Sequence, residues 1–428
     1  MLNSDVNALL TQTGPGTPMG DVMRRYWIPA LLSWEIEADG QPVRARLLGE
    51  DLIAFRDTAG RVGVLDEYCP HRLTSLWLGR NEDNGIRCVY HGWKFDVTGQ
   101  CVDQMNEPEQ FAAKVKTTAY PAVDRGGVVW VYMGPPDKQP ALPEYEWTRV
   151  PDDQRNVTRV VENCNWLQAL EGGIDTSHAP IMHRAITDNS RQPGIPMGGP
   201  FVRGDAPSLE VDVTDYGYRY FGVRPLAGDG AKAAEQYIRG YHYVIPWTQI
   251  RPGGPGRDSQ TNGHYWVPID DHHTIVWNFY YDFDHPLSEN TPDAQDSGNT
   301  YGVDVDPANG FQSIRNRSND WMIDRDIQKH DTFTGILGVN TQDRAAQELM
   351  GPVVDRSREH LGPADRAIIT ARQLLQKAVA TVAEGGEAPG TQRSLLELRS
   401  ADATLPATAD WRALLIPRMD PAATQEQR

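Results

Sequence analysis

Two short stretches decide how this chain is read: Tyr68-Cys69-Pro70-His71-Arg72 and Cys88-Val89-Tyr90-His91-Gly92-Trp93-Lys94-Phe95, with the sixteen residues 72–87 separating His71 from Cys88. Each holds one cysteine and one histidine, spaced Cys-X-His and Cys-X2-His. Thiolates are soft ligands that suit iron–sulfur clusters, and imidazoles suit iron or zinc. A zinc knuckle keeps two to four residues between paired ligands, and the one-residue gap of the first pair departs from that. The pattern reads as a binuclear iron–sulfur cluster with two thiolates on one iron and two imidazoles on the other. Neutral imidazoles in place of thiolates raise the potential of such a cluster. Cys101 and Cys164 have no ligand partner at a useful spacing and read as buried thiols.

The residues around both pairs belong to short strands: Val43–Leu48, Leu52–Arg56, Val62–Leu65 and Val128–Met133 alternate or run apolar between turn signals. They predict a small all-β domain over 25–136, closed by the Gly/Pro-rich linker from Gly134 to Pro140. Residues 1–24 hold a short apolar pattern and a Gly/Pro loop, predicted as a helical segment packing on the second domain, residues 137–428, rather than on the β domain. Residues 137–428 form the second domain. Its segments 208–224, 235–250, 264–269 and 273–283 alternate and are rich in Tyr, Val, Ile and Trp, which predicts strands. Residues 286–312 read as a polar loop, 319–383 as mainly helical, and the polar end from about 405 as loosely held. Strands followed by helices make this an α+β domain.

A second constellation opens that domain: Glu171-Gly172-Gly173-Ile174-Asp175-Thr176-Ser177-His178-Ala179-Pro180-Ile181-Met182-His183. Asp175 and His178 share a face if the stretch is helical. His178 and His183 are five apart and would splay by about 140° on a regular helix. Pro180 breaks the helix between them and can re-aim His183 toward His178. Two histidines and one carboxylate on one side of an iron leave positions open for oxygen and substrate. The carboxylate must come from this stretch or from elsewhere. Asp343, opening the helical run 344–350, is one candidate, and Glu171 and Asp175 are rivals by proximity.

The chain has 428 residues and a formal net charge of −17. That balance argues against nucleic acid or an anionic membrane as partner, since both need a basic surface. No run of about 18 apolar residues offers a membrane span. The N-terminus lacks a signal-peptide pattern, and four cysteines make no disulfide framework, so a cytoplasmic location is the expectation.

Together these motifs resemble the catalytic (alpha) subunits of the Rieske non-haem iron oxygenases. The wording of Arg24-Arg25-Tyr26-Trp27-Ile28-Pro29-Ala30-Leu31, Gln342-Asp343-Arg344-Ala345-Ala346-Gln347-Glu348 and the two constellations resembles most the phthalate dioxygenase and aryl O-demethylase branch. The resemblance implies a Rieske 2Fe-2S cluster held by Cys69, His71, Cys88 and His91, and a mononuclear non-haem Fe(II) held by His178, His183 and Asp343. It implies that Asp175 is no ligand but a bridge, passing electrons from His91 of one subunit to His178 of its neighbour. It implies a helix-grip α+β catalytic domain and a head-to-tail homotrimer, single or stacked, a heterologous contact that closes on a three-fold axis.

The chain carries no flavin or nicotinamide fingerprint, so a separate reductase must supply the electrons. In this branch that is a flavin-plus-ferredoxin protein using NADH. The substrates the resemblance implies are O2 and an aromatic carboxylate, cis-dihydroxylated, or a methoxyaromatic acid, demethylated with release of formaldehyde. An electron-transfer protein without oxygenase activity is the remaining alternative, and the His178/His183/Asp343 set argues against it. For the substrate pocket, the run Tyr237–Trp247 alternates, placing Arg239, Tyr241, Tyr243 and Ile245 on one face and Ile238, His242 and Val244 on the other. An arginine among aromatics can hold a ring carboxylate. Arg203 and Arg239 are the arginine candidates, with Arg219, Arg224 and Arg251 behind them. His242 is either a pocket residue or a satisfied sheet histidine.

Overall fold

The computed structural model describes residues 2–187, 190, 206–226, 234–254, 257–287, 298–393 and 395–421. The chain forms two compact units, Gln12–Leu142 with Pro268–Asp270, and Met1–Thr11, Pro143–Val267 and Asp271–Arg428.

The smaller unit is all-β apart from α2 (Pro18–Met23), which Thr17 caps by accepting from the Gly20 amide. Its strands are β1 (Trp27–Leu32), β2 (Val43–Leu47), β3 (Glu50–Arg56), β4 (Val62–Asp66), β5 (Arg80–Glu82), β6 (Gly85–Arg87), β7 (Trp93–Phe95), β8 (Cys101–Gln104), β9 (Ala119–Tyr120), β10 (Ala122–Arg125) and β11 (Val128–Tyr132). They make three small sheets, ordered β1-β11-β10, β2-β3-β4-β9 and β5-β6-β7-β8. Ile53, Phe55, Leu65, Leu76, Ile86, Trp93 and Phe95 bury one face each into a shared core that also takes in Cys69 and Cys88. Arg24 is structural: its guanidinium donates to the Thr13 and Leu48 carbonyls and pairs with Glu50 at 2.7 Å.

The N-terminal segment divides. Helix α1 (Ser4–Thr11) goes with the larger unit, where the Trp166 indole donates to Leu10 O and the Asn165 amide to Thr11 O. Residues 12–24, with α2, group with the smaller unit instead.

The larger unit is built on a sheet of β13 (Arg155–Glu162), β14 (Ser208–Val213), β15 (Gly217–Leu226), β16 (Glu235–Val244), β17 (Thr248–Pro252), β18 (Gln260–Pro268) and β19 (Thr274–Asp282). With β20 (Val305–Asp306) and β21 (Gln312–Ser313) the order is β14-β15-β16-β17-β18-β19-β13-β21-β20, and β23 (Ala401–Pro406) pairs with β16. A two-residue pairing joins β12 (Glu144–Tyr145) to β22 (Leu395–Leu396). Helices α3 (Trp166–Ile174), α4 (Ala179–Met182), α5 (Arg325–His330), α6 (Val339–Leu349), α7 (Arg366–Ala383) and α8 (Trp411–Met419) complete it. Among the described residues no helix is long and apolar enough to cross a membrane.

Three elements differ from the reading of the sequence. The run 235–250 is two strands, because Pro246 has no N–H for a ladder and the Ile245 amide turns away to Tyr216 O. Pro180 starts α4 rather than kinking a longer helix, since α3 already ends at Ile174. Residues 405–421 are held: Trp411, Leu415 and Met419 recur at helical spacing and bury against Phe221 and Ile238.

Glycines in α3 let its neighbours approach. A Cβ on Gly173 would lie 2.0 Å from the Trp266 ring, and one on Gly172 would meet the side chain of Gln347 on α6. Gly173→Ala should therefore cost about 1–3 kcal/mol by overpacking against a rigid ring, lowering the calorimetric Tm by roughly 2–8 °C despite alanine's better helix propensity. An unchanged or higher Tm would show that Trp266 yields.

Candidate functional site

In the smaller unit, Cys69 follows β4 and Cys88 follows β6, so both pairs sit in loops leaving strands. The loops have the same hydrogen-bonded shape. Cys69 O accepts from the Leu73 amide at 2.8 Å and Cys88 O from the Gly92 amide at 3.0 Å. The second turn needs φ = +77° at Gly92, and a Cβ there would strike Met105. The cysteines are buried and the histidines half-buried. The imidazoles of His71 and His91 meet edge-on with centroids 4.4 Å apart, and His71 stacks on Trp93.

This donor set fits a binuclear cluster better than one ion. A single tetrahedral ion with bonds of roughly 2.0–2.3 Å would draw all its ligands within about 4 Å of each other. Among the described residues the one set of three or more His, Cys, Asp or Glu donors lying within 4.8 Å of one another is elsewhere, in the larger unit. Burial, with the neighbouring Cys88 sulfur adding to it, pushes the Cys69 thiol up to about 12. His71 Nδ1 is buried and has no hydrogen-bond partner. Two thiols pressed together and an orphaned imidazole nitrogen are groups that iron would satisfy.

In the larger unit that set is His178, His183 and Asp343. His178 and His183 bracket α4 as its two caps, and Asp343 projects from α6. The three distances between His178 Nε2, His183 Nε2 and Asp343 Oδ1 are each 3.3 Å. Adjacent donors of one ion held at roughly 2.1 Å stand about 3 Å apart when the bonds are at right angles, so the triangle fits one face of a single ion. Asp343 Oδ1 is buried and makes no well-aligned hydrogen bond. Burial opposes its charge, yet His183 and His178 hold its carboxyl well below the usual carboxylate range. Burial likewise works against a charged His178, but Asp175 and Asp343 outweigh it and raise the imidazole to about 10. The arrangement is one that attracts a cation.

Asp175 is the C-cap of α3 and meets His178 across a turn, not along a helix face. Its Oδ1 accepts from the Ser177 amide at 2.7 Å and its Oδ2 lies 3.0 Å from His178 Nδ1. It therefore stands on the far side of the ring from Asp343 and leaves Nε2 free to face the triangle. Glu171, the other rival for the carboxylate, is engaged elsewhere: Arg356 and Arg372 bind its two oxygens at 2.8 and 2.6 Å. Asp343 itself lies mid-helix, because α6 starts at Val339 rather than after it.

The face of β16 that carries Arg239 and Tyr241 is turned to this segment. Tyr241 Oη lies 2.7 Å from Thr176 Oγ1, and its ring stacks on Tyr220. Arg239 donates to Pro252 O and has its guanidinium over Tyr241. Arg224 is wholly buried and donates to the Thr176 carbonyl at 2.7 Å, so it supports the loop between α3 and α4. Arg251 donates to Asn262, and Arg219 pairs with Asp212. Arg203 lies outside the described residues.

His242 is to be withdrawn as a substrate residue. It lies on the opposite sheet face, with Nδ1 2.7 Å from Tyr216 Oη and Nε2 2.9 Å from Arg399 O, and burial takes its imidazole down to about 4. A better placed histidine is His264 on β18, directly opposite Gln249, whose amide donates to Tyr220 Oη. His264 Nδ1 lies 2.7 Å from Asn278 Oδ1, and burial with the nearby Arg251 charge keeps the ring neutral. Its sequence signal was its place in a predicted strand, two residues before Trp266.

The comparisons agree with this anatomy. The Rieske [2Fe-2S] domain family matches residues 26–120, and the "LigXa C-terminal domain like" family matches residues 131–427. The phthalate 4,5-dioxygenase oxygenase subunit of Pseudomonas putida is 39% identical over 426 residues, 96% of this chain and 94% of that one. The 3-chlorobenzoate-3,4-dioxygenase oxygenase subunit of Comamonas testosteroni is 39% identical, over 95% and 96% of the two chains. The 5,5'-dehydrodivanillate O-demethylase oxygenase subunit of a Sphingobium species is 30% identical, over 90% and 82%. Among solved structures, NdmA of Pseudomonas putida CBB5 with caffeine shares the fold with a TM-score of 0.59 at 17% identity, over 92% and 99% of the chains. The oxygenase in the oxygenase–ferredoxin complex of carbazole 1,9a-dioxygenase shares it with a TM-score of 0.54 at 20% identity, over 87% and 93%. With a Rieske [2Fe-2S] domain ahead of a catalytic domain of this kind, the chain belongs to the Rieske non-haem iron oxygenases, as an oxygenase (alpha) subunit.

Proposed function

We propose that this oxygenase acts on an aromatic carboxylate, cis-dihydroxylating a phthalate-like ring with O2 and electrons that originate in NADH. The observation that carries the reading is the triangle of His178, His183 and Asp343 beside a sheet face bearing Arg239 among tyrosines. Relatives named for phthalate and chlorobenzoate support the carboxylate.

Residues 25–136 are the cluster-bearing domain and residues 137–428 the iron-bearing one. Cys69 and Cys88 would hold one cluster iron, His71 and His91 the other, and His178, His183 and Asp343 would hold the mononuclear iron. When bound, the cluster stores and passes single electrons and the mononuclear iron activates dioxygen. The chain's own residues do the rest. Asp175 keeps His178 Nδ1 protonated, so that Nε2 presents its lone pair. Arg239 anchors the carboxylate as a charged fork, and Tyr241 and Tyr220 give the ring an apolar wall. A flavin-plus-ferredoxin reductase would supply the electrons, and in a homotrimer the Asp175 carboxylate would bridge by hydrogen bonds between His178 of its own subunit and His91 of the neighbour, shortening the path between cluster and iron.

The test is product mass spectrometry with labelled dioxygen, using the purified protein, NADH and a surrogate reductase on benzoates, phthalates and methoxybenzoates. Two labelled atoms in one product are expected. Formaldehyde release with a phenol product would replace the dihydroxylation by O-demethylation, and no oxygenated product from an iron-replete protein would end the proposal. Arg239→Lys keeps the charge and loses the fork. It should raise KM for the carboxylate about 10- to 100-fold, the scale of a charge-assisted hydrogen bond, with kcat less affected. An unchanged KM removes Arg239 from the site.

A further inference from the structure

The two histidines of the triangle are held in different ways. His178 is oriented by a residue three positions away, the carboxylate of Asp175, and its side chain is a quarter exposed. His183 is almost fully buried, and its Nδ1 lies 2.9 Å from Oε1 of Gln342, 159 positions along the chain.

The Gln342 amide cannot turn round without cost. Its Nε2 donates to Ile336 O at 2.8 Å, and a carbonyl accepts only from the NH2 end of an amide. Oε1 therefore faces His183, and an oxygen there requires the proton of His183 on Nδ1. Nε2 is left with its lone pair toward Asp343 and His178. The backbone closes the same ring of contacts. Ala185 bridges to Thr332, the Ile186 amide donates to Asp331 O, and the Phe333 amide to Arg184 O. The chain leaving His183 is thus tied to the segment that ends in Ile336, and Ile336 pins Gln342. Gln342 and Asp343 are consecutive on α6, so one helix carries both a donor of the triangle and the group that aims a second.

We infer that Gln342 is a positioning residue for the mononuclear iron: it locks the Nδ1–H tautomer and ring angle of His183, making His183 and Asp343 a rigid pair, while His178 with Asp175 is the separately held arm. The inference rests on His183 being an iron ligand. Outer partners of ligating histidines set tautomer and orientation, and their loss costs about 10- to 100-fold in metal affinity.

The experiment compares Gln342→Met, which keeps side-chain length and loses the acceptor, with Gln342→Glu, which keeps an acceptor oxygen. His183→Ala is the control for the ligand assignment. Iron affinity of the full-length protein is measured by chelator competition. Nitrogen-15 NMR of the iron-free protein, labelled at histidine, reads the His183 tautomer directly. Gln342→Met should bind iron about 10- to 100-fold more weakly and lose the pure Nδ1–H signature, with cluster absorbance unchanged; Gln342→Glu should stay close to wild type in both. Wild-type iron affinity and tautomer in Gln342→Met overturn the inference. An equal loss in both variants also overturns it, because the contact with Ile336 would then be what matters. Should Gln342→Met fail to fold, the NMR spectrum of Gln342→Glu decides, since a tautomer other than Nδ1–H in that variant overturns it too. If His183→Ala retains iron, the ligand assignment falls, and the Gln342 inference with it.

Discussion

Asp343→Ala is expected to leave the cluster spectrum intact, remove about one iron of the three per chain, and lower turnover by more than 100-fold, beyond the upper end of what losing an outer-shell partner costs. Asp343 is the one anionic donor of the triangle, with Oδ1 at 3.3 Å from both imidazoles. Without it two neutral nitrogens remain, and a hard cation loses its charged oxygen ligand. Among the described residues no other carboxylate joins the triangle. Glu171 is bound by Arg356 and Arg372, and Asp175 faces the opposite nitrogen of His178. The cluster ligands belong to a separate compact unit, so their spectrum is an internal measure of folding. Iron analysis, visible absorbance and turnover on one preparation make the check. Surviving activity would place the third ligand elsewhere.

Asp175→Asn is expected to separate iron binding from electron delivery. The Asn carbonyl can still accept from His178 Nδ1, so the ring stays oriented and iron content stays near wild type. What is lost is the charge, which with Asp343 raises His178 against the penalty of burial. Transfer of the electron from reduced cluster to iron should slow by at least about 10- to 100-fold, the range seen when the partner of a ligating histidine is removed. Single-turnover experiments read this directly: the fully reduced protein is mixed with substrate and O2, and reoxidation of the cluster is followed by absorbance. Wild-type reoxidation would rule out the bridge. Loss of iron would instead make Asp175 a residue that supports the metal alone.

The legible parts of the chain were those whose chemistry is local. Cys69 to His71 and Cys88 to His91 each span a single turn, and the turn geometry at Gly92 follows from the same few residues. The period of two along β16 separated Arg239 and Tyr241 from His242, and that separation is present in the structure. Less legible were elements whose stability comes from contacts far along the chain. Helix α8 has its apolar residues four apart within a polar end, and only the groove against Phe221 and Ile238 gives it a reason to form. Pro246 divided a run whose alternation read as continuous.

By itself, then, the sequence determined which donors this protein carries and how the cluster pair is spaced, because soft and imidazole ligands at turn-length separations specify their own geometry. It also left a few carboxylates as rivals for the donor beside the two histidines. Tertiary structure separates them: arginines pair with Glu171, a turn carries Asp175 behind His178, and α6 brings Asp343 to the open side. It also placed the Gln342 amide between Ile336 O and His183 Nδ1, a contact that its position beside Asp343 in the sequence does not announce. The reason is physical. A ligand's identity is a property of its side chain, whereas its direction is set by whichever buried partner satisfies its other polar atom.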